Sequence, residues 1–220
     1  DPVPTEFCTL SLPDALQTFA GCHASILVLR RQACDALHVG QLIVAYERLD
    51  RAVSQKPTDS KAIYLLGKVL LERGQPLDAQ YALEKALALN PDGPETPQIL
   101  DDLAEAIFRQ DKYDLLAARL QDATKQYGKT KDFRRQGDYL ARMGDVDGAV
   151  LAYRKAARFA KDDPSANLAL ADLYESIGDR QRALEQLYLA YQVEPGNPRI
   201  NHRLRTYGLI PGPTMNISHP

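Results

Sequence analysis

The sequence predicts an all-α solenoid built from helix-turn-helix pairs. Three observations carry that prediction. Landmark residues recur at an interval of 34: Gly40, Ala45, Ala52 and Pro57 become Gly74, Ala79, Ala86 and Pro91, and Gly144, Ala149 and Ala156 become Gly178, Ala183 and Ala190. Between the landmarks, apolar residues fall at helical spacing, as with Ile63, Leu66 and Leu70 around the small Gly67. Glycines and clusters such as Asn90-Pro91-Asp92-Gly93 punctuate each change of direction. A fixed period of this kind marks a stacked array, in which each unit buries its apolar face against its neighbours.

The elements follow in order. Residues 1–13 hold Pro2, Pro4 and Pro13 and read as an extended leader. Ser11-Leu12-Pro13-Asp14 opens a helix, since proline suits a first helical turn. Its Ala15, Leu16 and Phe19 are expected to cover the open end of the first repeat, so 1–25 is leader plus cap. The array then spans 26–197 in five copies, about 26–59, 60–93, 97–128, 130–163 and 164–197. In the second copy Gly74 ends the first helix. A second helix starts near Pro76 with Ala79, Leu83, Ala86 and Leu87 inward. Gly67, Ala79 and Ala86 let the two backbones approach, where larger side chains would cost about 1–3 kcal/mol of overpacking. The third copy is the most degenerate: Pro94-Glu95-Thr96-Pro97 delays it, and Asp111 stands in the place of the turn glycine. The fourth is the clearest, with Phe133, Gly137, Leu140, Gly144-Asp145, Tyr153 and Ala156; the fifth carries Ala171, Tyr174, Gly178-Asp179, Leu187 and Pro195. Asn197-Pro198 opens a final helix to about Thr206, with Ile200 and Leu204 toward the array and an irregular tail after it, so 198–220 closes the other end.

This grammar resembles that of the tetratricopeptide repeat family over residues 26–197. The family's tryptophan is absent throughout, and Phe133 takes its place in the fourth copy alone. The resemblance implies a right-handed superhelix in which the first helix of each pair lines a concave groove, where ligand peptides usually lie. On that reading the groove candidates are Arg30 and Arg31 in the first copy and Tyr64 and Lys68 in the second. The fourth copy adds Lys131, Arg134, Arg135 and Arg142, and the last helix adds Arg199 and Arg203. The carboxylate clamp of some family members does not carry over. Cys34 stands where an Asn is expected, and Asp101, Asp102 and Glu105 would repel the peptide.

Composition narrows the function further. Formal net charge is −2 and the pI is near 6.1, against a nucleic-acid binder's basic excess. No apolar run approaches the roughly 20 residues of a membrane-spanning helix. Cys8, Cys22 and Cys34 fit no zinc spacing. On one helix Cys22 and Cys34 would lie roughly 18 Å apart, too far to bridge, while Cys8 can pair with either one or all three can remain thiols. There is no phosphate-binding glycine loop, GxSxG or HExxH. The histidines at 23, 38, 202 and 219 are scattered, and Asp101-Asp102 and Asp162-Asp163 read as helix-start or turn carboxylates. No enzyme activity, cofactor or metal is expected.

Charge is unevenly placed. Residues 94–127 hold seven acids and four bases; residues 128–163 hold nine bases and six acids. The expectation is therefore a non-catalytic scaffold or adaptor that holds a protein or peptide in the groove, acidic where it meets 131–142. The alternatives are a self-associating, homo-oligomeric subunit of an envelope, pilus or secretion assembly, and a regulatory repeat domain of a larger enzyme. A chain starting at Asp1 fits either a cytoplasmic protein or one exported after loss of an N-terminal segment.

Overall fold

The computed structural model of the protein describes residues 25–212. Eleven helices make up the described residues: α1 (Ile26–His38), α2 (Leu42–Gln55), α3 (Ser60–Glu72), α4 (Pro76–Leu89), α5 (Thr96–Phe108), α6 (Tyr113–Gln126), α7 (Thr130–Arg142), α8 (Val146–Phe159), α9 (Ser165–Ser176), α10 (Arg180–Val193) and α11 (Pro198–Thr206). The first ten form five consecutive pairs and α11 follows them, an all-α repeat architecture with no strand among the described residues. The proposed leader and first capping helix, Cys8, Cys22, His23 and residues 213–220 lie outside the described residues. Cys34 is a free, half-buried thiol.

Local chemistry sets the helix ends. Asp59, Asp145, Asp179 and Asn197 each accept backbone N–H groups at the start of α3, α8, α10 and α11, which satisfies donors that have no partner in the first turn. Within the pairs, the turn glycine Gly74 sits at φ 73°, and the N–H of Gln75 reaches back to the Leu70 carbonyl at 2.9 Å. Asp111 holds the same left-handed conformation at φ 56° without being glycine. Aspartate is among the few residues that tolerate it, and here its Oδ1 accepts a hydrogen bond from the Tyr113 hydroxyl at 2.9 Å.

The chain divides into two compact units, one ending at Leu103 and the other beginning at Ala104, so the division falls inside α5. In the first unit α3 packs on α1, α2 and α4. With neighbours on three sides, it buries Ala62, Ile63, Tyr64, Leu65, Gly67, Val69, Leu70 and Leu71. The single apolar face expected from spacing is thus too narrow, and Leu66, expected inward, is only half-buried. A Cβ on Gly67 would meet the Leu83 side chain at 2.8 Å, so any larger residue there would force Leu83 to shift.

In the second unit α7 packs on α6, α8 and α9, and α10 on α9 and α11. Ala149, Tyr153, Leu170, Leu173, Tyr174 and Ala183 form one core cluster there. Ala171, Leu187, Ala190, Ile200 and Leu204 form the next, which docks α11 by its apolar side. Gly137 is the close-approach residue of this unit: a Cβ would stand 2.6 Å from ring carbons of Tyr153.

Candidate partner-binding faces

In the first unit the four candidates do not share one situation. Arg30 is ion-paired with Asp59 at 3.1 Å, which ties α1 to the cap of α3. Arg31 is exposed and has no ion pair among the described residues. Tyr64 is 9% exposed, on a helix that packs on α1, α2 and α4. Burial and the nearby Asp102 carboxyl push its phenol up to about 12. Lys68 is half-buried on the same helix and exerts its positive field on Asp102.

Asp102 is the unusual carboxyl of this unit. Its Oδ2 is buried and meets no hydrogen-bond donor among the described residues. Burial pushes its pKa up to about 6; Lys68 and Tyr64 oppose the shift, while Asp101 and Glu72 add to it.

In the second unit the basic stripe on α7 splits. Arg135 turns inward with its side chain 4% exposed, and Nη1 donates to Asp132 Oδ1 at 3.0 Å. Asp132 in turn accepts from the Lys129 backbone N–H at 3.0 Å. A charge can be buried when a close, hydrogen-bonded counter-charge goes with it. Arg135 is therefore not available to a partner, contrary to its place in the expected stripe.

Arg142 is exposed but engaged. It donates to Glu105 at 2.6 Å, and its guanidinium lies 3.9 Å over the Phe108 ring. Glu105 also accepts from Arg109 at 2.7 Å and from the Tyr139 hydroxyl at 3.0 Å. Arg142 foremost, with Arg109 and Tyr139, holds the Glu105 carboxyl down at about 2. The acidic and basic segments read from the sequence are thus cross-linked at this point. Arg203 is likewise engaged, with Asp172 at 2.6 Å and Glu175 at 2.9 Å, and Arg199 stands more loosely at 3.9 Å from Asp172.

That leaves two cations on the outer side of α7. Lys131 is exposed with no ion pair among the described residues, and Arg134 is 49% exposed with Asp138 no nearer than 3.9 Å. One turn of helix separates them, so both can reach one extended segment. No group of three or more metal-ligating side chains occurs among the described residues, and no helix there is long and apolar enough to cross a membrane.

Stacked helix pairs with small residues at each close approach and a left-handed residue at each tight turn define a helical repeat protein. The chain belongs to the tetratricopeptide repeat family, whose profile matches residues 31–94, 64–129 and 134–198. Tonsoku-like protein of Bos taurus is 29% identical over 162 residues, 67% of this chain and 11% of that protein. Cellulose synthase operon protein C of Xanthomonas axonopodis pv. citri (strain 306) is 31% identical over 208 residues, 88% of this chain and 14% of that protein. The chain therefore spans a small part of these curated relatives.

Among solved structures, PilW, a type IV pilus biogenesis factor, superposes with a TM-score of 0.65 at 19% identity, covering 87% of each chain. MamA gives 0.59 at 20% identity, over 86% of this chain and 98% of that one. YrrB, a repeat protein with an unusual peptide-binding site, gives 0.53 at 22% identity, over 79% and 88%. At these identities the likeness establishes the fold.

Proposed function

We propose that this chain is a non-catalytic interaction scaffold that holds a protein or peptide partner on the first-helix face of its repeats. In the second unit Lys131 and Arg134 contact acidic side chains of that partner. The observation that carries the reading is the division of labour along α7. Arg135 and Arg142 are engaged by Asp132 and Glu105 at 3.0 and 2.6 Å, whereas Lys131 stands exposed and Arg134, 49% exposed, has only the looser Asp138 contact at 3.9 Å. Arginine is suited to bidentate capture of carboxylates, and an exposed pair of cations steers an acidic segment more than it stabilises the fold. The family membership and the peptide-binding relative support a binding role.

The test is capture from the native host with the immobilised chain, read by mass spectrometry of what co-elutes. Lys131→Glu with Arg134→Glu is expected to remove the captured partner while helical circular dichroism is unchanged. An identical co-eluting set overturns the reading. A second reading, a repeat segment acting inside a longer polypeptide, draws on the 11% and 14% coverage of the curated relatives. The mass of the native protein on a denaturing blot decides it.

A further inference from the structure

A cleft that shares no residue with Lys131 and Arg134 coincides with one departure from the repeat. Eleven residues before each turn residue the copies carry Leu29, Ile63, Leu100, Phe133 and Asn167. The first three are buried. Phe133 stacks on Phe159 with centroids 5.2 Å apart and planes 4° from parallel. Adding 34 to Phe133 and Phe159 gives Asn167 and Val193, so the fifth copy replaces the aromatic pair by a short amide and a small aliphatic. An open cleft of about 530 Å³ lies there, with both residues in its lining.

The remaining walls specify what would fill it. Leu189 supplies further apolar surface and is exposed. Arg158 and Lys161 line the rim, and neither has an ion pair among the described residues. Asp162 alone is acidic among the lining side chains. Asn167 and Gln192 add amide donors.

We propose that this cleft receives an aromatic side chain of a protein partner, flanked by an acidic residue that meets Arg158 and Lys161. The incoming ring takes the place that Phe133 and Phe159 fill for themselves in the fourth copy. Its edge lies against Leu189 and Val193, and the neighbouring carboxylate lies at the cationic rim. The site shares no residue with the Lys131 and Arg134 face, and it stands or falls independently of that reading.

The probe is N-acetyl-Phe-Glu-amide titrated into the full isotope-labelled chain. It is expected to shift the side-chain amide signals of Asn167 and Gln192 and the methyls of Leu189 and Val193, whereas N-acetyl-Ala-Glu-amide leaves them in place. Asn167→Phe fills the cleft from within and should abolish the response. Arg158→Glu with Lys161→Glu changes only surface charge and should weaken binding about tenfold, so the test survives even if N167F does not fold. Absence of these shifts in the natural chain, equal response to the alanine dipeptide, or undiminished binding by the charge-reversed chain would overturn the proposal.

Discussion

The inner and outer sides of α7 carry the same charged residue types in adjacent positions and treat them in opposite ways. Arg134 lies 49% exposed with the Asp138 carboxylate at 3.9 Å, while Arg135 lies 4% exposed against Asp132 at 3.0 Å. Successive helical residues point about 100° apart, and that rotation alone separates a group that can meet a partner from one that holds the unit together. The neighbouring helix α5 shows the same division among carboxyls. Asp102, whose burial without a full set of donors raises its pKa to about 6, stands three positions before Glu105, whose pKa neighbouring cations lower to about 2.

The inner side gives the largest expected effects. Arg135→Glu would place two carboxylates in one buried site and should destabilise the chain by about 3–5 kcal/mol, whereas Arg134→Glu should stay within about 0.5 kcal/mol. Urea unfolding of the two variants measures this directly, and equal midpoints would erase the distinction between the two sides. Gly137→Val comes next. Its added carbons meet the Tyr153 ring, where even a Cβ would be 2.6 Å away, and an overpacking loss of about 1–3 kcal/mol is expected in thermal melts.

The α5 pair sharpens the contrast through pH. The folded value of Asp102 lies above its ordinary 3.8, so the stability contributed by its protonated form is present below about pH 4 and is lost as pH rises through about 6. The folded value of Glu105 lies below its ordinary 4.5, so its contribution is present above that pH and is lost as pH falls toward 2. Asp102→Asn should therefore raise stability at pH 7 by roughly 1–2 kcal/mol, with screening at a half-buried site keeping the gain below the full shift, and change little at pH 4. Glu105→Gln should cost about 1 kcal/mol at pH 7, since its side chain and that of Arg142 are partly solvated, and little near pH 2. Urea titrations across pH distinguish the opposite slopes; parallel slopes would show that the two carboxyls share one environment.

Much of the architecture is legible in the sequence because its punctuation is chemical. Turn glycines and small residues where backbones approach recur at 34, as do Pro57 and Pro91, and need no tertiary knowledge. Asp111 is readable too, because it occupies a place in the series that requires a left-handed backbone. The candidate face was less legible. Spacing assigns Lys131, Arg134, Arg135, Asp138 and Arg142 to one stripe, but it does not say that Asp132 lies against Arg135 or that Glu105 reaches Arg142 from another helix. Spacing does not show either that Tyr64 is buried, as are seven other residues of α3, which packs on α1, α2 and α4. Asn167 had a signal in plain view, a polar residue in a series otherwise made of Leu, Ile and Phe, but the cleft it opens requires the packing of α8, α9 and α10.

The central claim is that α7 offers its outer cations to an acidic partner and keeps its inner ones for the fold. The most direct test is partner capture by the natural chain, by Lys131→Glu with Arg134→Glu, and by Arg142→Met, each checked for helical content. Capture should be lost in the first variant and kept in the second, with both folded. Undiminished capture by the folded double reversal would contradict the account.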